Sequence, residues 1–165
     1  MTTFPANLAQ ACAGLAAETI PAGSKIVTAG EPGGPLHILI EGSVEVLRDD
    51  TQVATVDEPG AVFGEMALLL GAPHATTVIA KEDCRCYVIA DGAAFLRSNP
   101  DLMFHVCRTL ALRVHLLSGY LADLKTQFAH HDSHLGMVHE VLCKLCEHPH
   151  REVTLGSDRQ PGPLP

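Results

Sequence analysis

Between Lys25 and Ile89 the chain alternates short apolar, β-branched runs with turn residues. The runs fall at 25–28, 36–40, 43–48, 52–56, 76–80 and 85–89. Val44 and Val46 have the period-two spacing of a half-buried strand, and Leu47 falls one residue out of step. Glu41-Gly42 between two runs is a tight hairpin signal. Asp49-Asp50 makes a second turn and Asp57-Glu58-Pro59-Gly60 a third. Evenly spaced short strands with turns between them predict a mainly β fold, a sandwich or small barrel of the jelly-roll kind.

The period changes at both ends. Phe4, Leu8, Cys12 and Leu15 recur at helical spacing, which predicts a short N-terminal helix over 4–17. Residues 91–98 predict a short helix with Asp91 as its N-cap, ended by Asn99-Pro100. From Asp101 apolar residues recur at 103, 106, 110, 114, 117, 121, 124 and 128, a stripe of about seven helical turns. One small β-domain cannot cover so long a stripe, so its outer half needs a partner. The economical partner is a second copy in a twofold homodimer through helix 101–128. A further short helix is expected over 135–147, and the proline- and glycine-bearing stretch 151–165 reads as a disordered tail.

Apolar residues make up 47% of the 165 positions and charged residues 18%, which fits a folded domain. The formal net charge of −8 argues against direct DNA or RNA binding and against an anionic membrane face. The most apolar helical stretch, 102–117, is interrupted by His105, Arg108, Arg113 and His115, so no membrane span is expected. The first residues lack a basic region followed by an apolar run, and the expected location is the cytoplasm. The six cysteines show no disulfide framework; Cys84 and Cys86, on one face of a strand, are poorly placed to bridge.

Residues 63–78 carry the candidate chemistry. Phe63-Gly64-Glu65-Met66-Ala67 reads as a tight turn opening a short helix, followed by a Gly-Ala-Pro break and a strand. The first N–H groups of a helix have no partner within it and favour an anion. Glu65 adds an acceptor-only carboxylate suited to a pair of sugar hydroxyls. An anion nest beside one acceptor suits a ribose phosphate. The plainer reading of Glu65 is a first-turn carboxylate that stabilises the helix N-terminus.

The segments Ile20–Gly23, Gly30-Glu31-Pro32 and Leu36-His-Ile-Leu-Ile-Glu41-Gly42-Ser-Val44 resemble the opening strands of cyclic-nucleotide-binding domains. Phe63–Leu69 with Pro73-His74-Ala75-Thr76-Thr77-Val78 is similar to that family's phosphate-binding cassette, and Asn99-Pro100 before a long helix also matches. The family includes the bacterial catabolite activator proteins, kinase regulatory subunits and gated channels, and the resemblance covers roughly residues 18–128. It implies a jelly-roll β-roll (a double-stranded β-helix) of about eight strands with helices at both ends. On that pattern the parts are an N-terminal helix at 1–18, the β-roll at 19–98 and a long helix at 99–129. A His/Cys-rich helical segment at 130–150 and the tail at 151–165 follow.

The resemblance implies that Gly64 lets the backbone approach a ligand and that Glu65 accepts from the ribose 2′-hydroxyl. Ala67 with its neighbours Phe63 and Met66, and Ala75, would surround the cyclic phosphate with backbone groups, flanked by Pro73 and Thr76. The family's arginine falls at position 74, where this chain has histidine. Arginine is permanently charged and grips phosphate with a planar fork. An imidazole offers at most two donors pointing apart, and with an ordinary pKa near 6.5 only about a quarter is charged at neutral pH. The expected ligand is cyclic AMP or cyclic GMP: Ala75 has no hydroxyl for a guanine, although Thr76 beside it does.

The resulting expectation is a stand-alone regulatory sensor that signals through its C-terminal helix to a dimer partner or an effector protein. One rival is a ligand-free dimeric interaction module. The other is a metal- or redox-responsive protein using His139, Cys143 and Cys146, which lie one helical turn apart; both thiols also fit an apolar stripe with Leu135, Val138, Leu142 and Leu145. His37, with Glu41 four residues on, faintly resembles a cupin metal motif, but the second histidine would fall at Leu39. No nucleophile–base pair has an activating context, so no enzyme is expected. The residues after 129 are too few and too weakly basic for a helix-turn-helix.

Overall fold

The computed structural model describes residues 4–127. In chain order, helix α1 (Ala6–Ala11) precedes strands β1 (Ala17–Ile20), β2 (Lys25–Val27), β3 (Leu36–Glu41), β4 (Val44–Arg48), β5 (Thr51–Val56) and β6 (Val62–Phe63). Helix α2 (Glu65–Leu70) leads to β7 (Thr77–Ala80) and β8 (Cys84–Ile89), and then α3 (Gly92–Ser98) and α4 (Pro100–Gln127). Two four-stranded sheets run in the orders β1-β8-β3-β6 and β2-β7-β4-β5, with every pairing antiparallel. This is the expected jelly-roll β-roll with flanking helices.

Two apolar layers hold it together. Leu39, Phe63, Cys84 and Cys86 of the first sheet meet Ile26, Val27, Val44, Val78 and Ala80 from the second. The opposite face of the first sheet, with Leu36, Ile38, Val62 and Ile89, packs on Leu8, Cys12, Leu96, Leu102 and Val106. The first sheet is therefore buried on both faces, which explains why Leu-His-Ile-Leu-Ile reads as nearly continuous rather than alternating.

Two local features depart from the sequence reading, and a third explains one. Helix α1 covers only Ala6–Ala11, and Gly14 at φ +88° lets the chain turn so that β1 can pair with β8. The spacing of Leu8, Cys12 and Leu15 still marks a buried face, because these residues share one cluster beyond the end of the helix. Glu41-Gly42 is not a hairpin within one sheet: β3 and β4 lie in different sheets, and the turn is the corner between them. A Cβ at Gly42 would stand 2.8 Å from Cys84 Cα, so only glycine allows the approach. Leu47 is out of step because the β4–β5 register shifts between Val46 and Leu47. The Asp49-Asp50 turn does close a hairpin, with both residues at positive φ (49° and 60°).

The Asp91 carboxylate accepts from the Ala94 N–H at 2.9 Å, capping α3 as the sequence predicts. Asp91→Ala is expected to cost about 1 kcal/mol, read as a lower denaturation midpoint with an unchanged m-value. The start of α4 is anchored by Leu102 and Val106, which are buried, and by His105, whose Nε2 lies 3.1 Å from the Gly60 carbonyl. The chain divides into two units after Leu110. Of the apolar residues of α4 in the second unit, Leu112, Val114, Leu116, Leu117 and Tyr120 are exposed. Leu112, Leu116 and Tyr120 lie off the stripe that the sequence marked. No helix among the described residues is long and apolar enough to cross a membrane.

Candidate functional site

The cassette begins where β6 ends. Phe63 is buried in the layer between the sheets, and Gly64, at φ +93° and ψ −12°, is the N-cap of α2. A side chain at Gly64 would meet the Pro35 carbonyl oxygen at 2.6 Å, so the tight approach of two backbone segments fixes glycine here. Glu65, the first residue of α2, is buried, only 6% exposed, whereas Met66 beside it is exposed. A carboxylate so deeply buried needs polar partners to offset its desolvation, and Glu65 has them. Ala67 turns inward, and a Cβ built at Gly33 would come within 2.9 Å of the Ala67 methyl.

Gly71, in the left-handed region at φ +61°, ends α2 by donating its N–H to the Ala67 carbonyl. Ala72 and Pro73 then carry the chain to His74. Backbone bonds lock His74 to the loop between β2 and β3: its N–H donates to the Glu31 carbonyl at 2.9 Å, and its carbonyl accepts from the Gly30 N–H at 2.8 Å. One step on, the Thr77 hydroxyl accepts from the Ala29 N–H at 3.0 Å. The His74 imidazole folds back on the head of the cassette, with Cε1 3.7 Å from the place of a Gly64 Cβ. Chain segments that the sequence separates by ten residues thus bring Gly64 and His74 together at one wall. Ala75 is exposed, and Thr76 is half-buried. A groove of about 330 Å³ runs along Pro32, Gly33, Ala67, Leu68, Gly71, Ala72 and Pro73; neither Glu65 nor His74 lines it.

A further polar residue stands at this wall. His37 on β3 is directly opposite Phe63 on β6 and Val88 on β8. Its neighbours Leu36 and Ile38 belong to the layer beneath the helices, so strand alternation turns His37 to the other face, with Phe63 and Val88. Its Nδ1 is buried and has no hydrogen-bond partner among the described residues. Burial lowers the His37 pKa, and the nearby His74 lowers it further. Strand spacing alone does not tell which face His37 takes, because β3 is covered on both faces.

The thiols nearby are chemically quiet. Cys84 and Cys86 are buried and unbridged, and desolvation pushes the Cys86 thiol up to about 12 and raises that of Cys84. The alternative metal ligands His139, Cys143 and Cys146 lie outside the described residues.

Comparison with known proteins fits this geometry. Residues 17–96 match the family model described as the cyclic nucleotide-binding domain. A cyclic nucleotide-gated potassium channel of Mesorhizobium japonicum is 45% identical over 100 residues, covering 59% of this chain and 27% of the channel. The chain thus spans little more than a quarter of that relative's length. The solved structure of PKAR CBD2 bound to Sp-2Cl-cAMPS shares 28% identity at a TM-score of 0.56, over 73% of this chain and 78% of that one. The Thermus thermophilus catabolite activator protein shares 25% identity at a TM-score of 0.58, over 76% and 59% of the two chains.

Proposed function

We propose, from the membership of residues 17–96 in the cyclic nucleotide-binding domain family, that this chain binds a cyclic nucleotide at the cassette and acts as a regulatory sensor. The observation that carries the reading is the pairing of buried Glu65 with the glycine turn at Gly64, against which the His74 ring is folded. Glu65 accepts from the ribose hydroxyls. Gly64 admits the sugar phosphate to the backbone, and Phe63, Met66, Ala67, Pro73, Ala75 and Thr76 shape the rest. Ala75 has no hydroxyl to offer a guanine, so cyclic AMP is favoured over cyclic GMP.

The occupied cassette favours one placement of α4, and this population shift is the signal. The exposed Leu112, Leu116, Leu117 and Tyr120 supply an apolar face for a second copy or an effector protein. In parts, α1 and the β-roll make the sensor and α4 the transmitter.

His74 makes the binding proton-linked. A bound cyclic phosphate favours the imidazolium over the neutral ring, so the complex takes up a proton and affinity rises as pH falls. Calorimetry of the full chain with cyclic AMP and cyclic GMP is expected to give tighter binding at pH 6 than at pH 8. Light scattering on the same samples reports whether copies pair. A binding constant independent of pH between about 5.5 and 8 removes His74 from the phosphate contact. Absence of heat with millimolar ligand leaves the second reading, an interaction module that has lost its ligand, for which histidine in the arginine position is the supporting observation.

A further inference from the structure

We propose that His37 is a second ligand-contacting residue of this site, its Nδ1 donating to the anionic phosphate of a cyclic nucleotide from β3, beside the His74 contact. The inference rests on the reading of the cassette as a cyclic nucleotide site and adds a residue to it.

Three observations converge on His37. Its Nδ1 is a buried polar atom with no partner among the described residues, a costly arrangement unless something completes it. Its ring lies on the face of β3 that looks between the sheets, flanked by Phe63 and Val88, neither of which can accept or donate through its side chain. Phe63 is followed immediately by Gly64, and the His74 ring is folded against Gly64, so both imidazoles border the head of the cassette. The chain therefore places two imidazole rings where a single guanidinium fork would otherwise hold the anion. Each ring can contribute one donor, and two rings from different elements at one wall can reach two oxygens of one phosphate.

The charge logic fits an anion. Without one, two imidazolium groups at one wall repel each other, and burial already disfavours charge on His37. The other titratable groups buried on these elements are Glu65 at the head of α2 and the thiols Cys84 and Cys86 on β8. The thiols are held neutral by their raised pKa values. A phosphate between the rings reverses the preference. The pKa of His37, depressed in the free protein, is expected to rise when the site fills. The linkage sign follows. In the free protein a protonated His37 disfavours the fold, so its contribution to stability is present above about pH 6.5 and lost as pH falls through the depressed value. The stabilisation given by ligand grows over the same range.

The test uses the full chain with cyclic AMP as probe. Wild type and His37→Phe, which keeps an aromatic ring but removes both nitrogens, are compared by calorimetry at pH 6 and pH 8. Imidazole resonances of the unmodified chain are followed by NMR with and without ligand. The expected result is a loss of roughly tenfold in affinity for His37→Phe at pH 6 and a smaller loss at pH 8, with ligand raising the His37 pKa in wild type. Equal affinities for the two proteins, or a His37 resonance whose titration ignores the ligand, overturn the role of His37 and leave the cassette reading standing. Wild type that binds neither cyclic nucleotide overturns both. The NMR titration needs no substitution, so it decides the matter even if His37→Phe folds poorly.

Discussion

Replacing His74 with arginine is expected to tighten cyclic AMP binding about ten- to a hundredfold and to flatten its dependence on pH. The backbone at this position is already fixed by its two bonds to Glu31 and Gly30, so the new side chain starts from an anchored point. What changes is the head group. A guanidinium is charged at every accessible pH and meets phosphate with two parallel N–H bonds, where an imidazole supplies one donor and only part of the charge. Charge-assisted bonds contribute roughly 1.5–3 kcal/mol each, which sets the size of the gain. Calorimetry of His74→Arg at pH 6 and pH 8 checks it, and the gain should be larger at pH 8, because only the guanidinium keeps its charge at every accessible pH. Unchanged affinity at both values would mean that position 74 does not face the phosphate.

Gly64→Val should remove ligand binding and destabilise the fold by about 2–3 kcal/mol, lowering Tm by roughly 5–10 °C. Two effects add at this residue. A left-handed backbone costs an L-residue roughly 1–2 kcal/mol, and the new Cβ would sit 2.6 Å from the Pro35 carbonyl oxygen, a backbone atom that cannot swing aside. Gly71 separates the two effects. It too is left-handed, at φ +61°, but a Cβ there meets nothing within 4 Å. Gly71→Ala is therefore expected to show the conformational cost alone, about 1 kcal/mol. Thermal melts of both variants make the comparison; equal losses would show that the contact with Pro35 is not tight. Binding should separate them further, because the Gly64 substituent also approaches the His74 ring.

Much of the fold was legible in the chain. Period-two runs found most strands, and the capping aspartate at 91 placed α3, because these signals live within a few residues of each other. The strands that escaped were β1 and β6. Ala17–Ile20 straddles the end of the expected N-terminal helix, and Val62–Phe63 is too short to show any period; both become strands only through pairing, with β8 and β3 respectively. The same limit hid the corner at Gly42, which has the sequence of a hairpin and the role of a link between sheets.

The sequence alone determined the jelly-roll class, the glycine and carboxylate at Gly64 and Glu65, and the presence of a histidine at 74. All of these depend on residue identity and short-range spacing. Only the tertiary structure decided that Glu65 is buried and that His74 folds against Gly64. Only it turned His37 inward with an unpartnered nitrogen. The reason is physical: which face of a strand is interior depends on the sheet that covers it, and strand β3 is covered on both faces. A histidine in such a strand looks identical in sequence whichever way it points, and only the layers that cover the strand decide which face it takes.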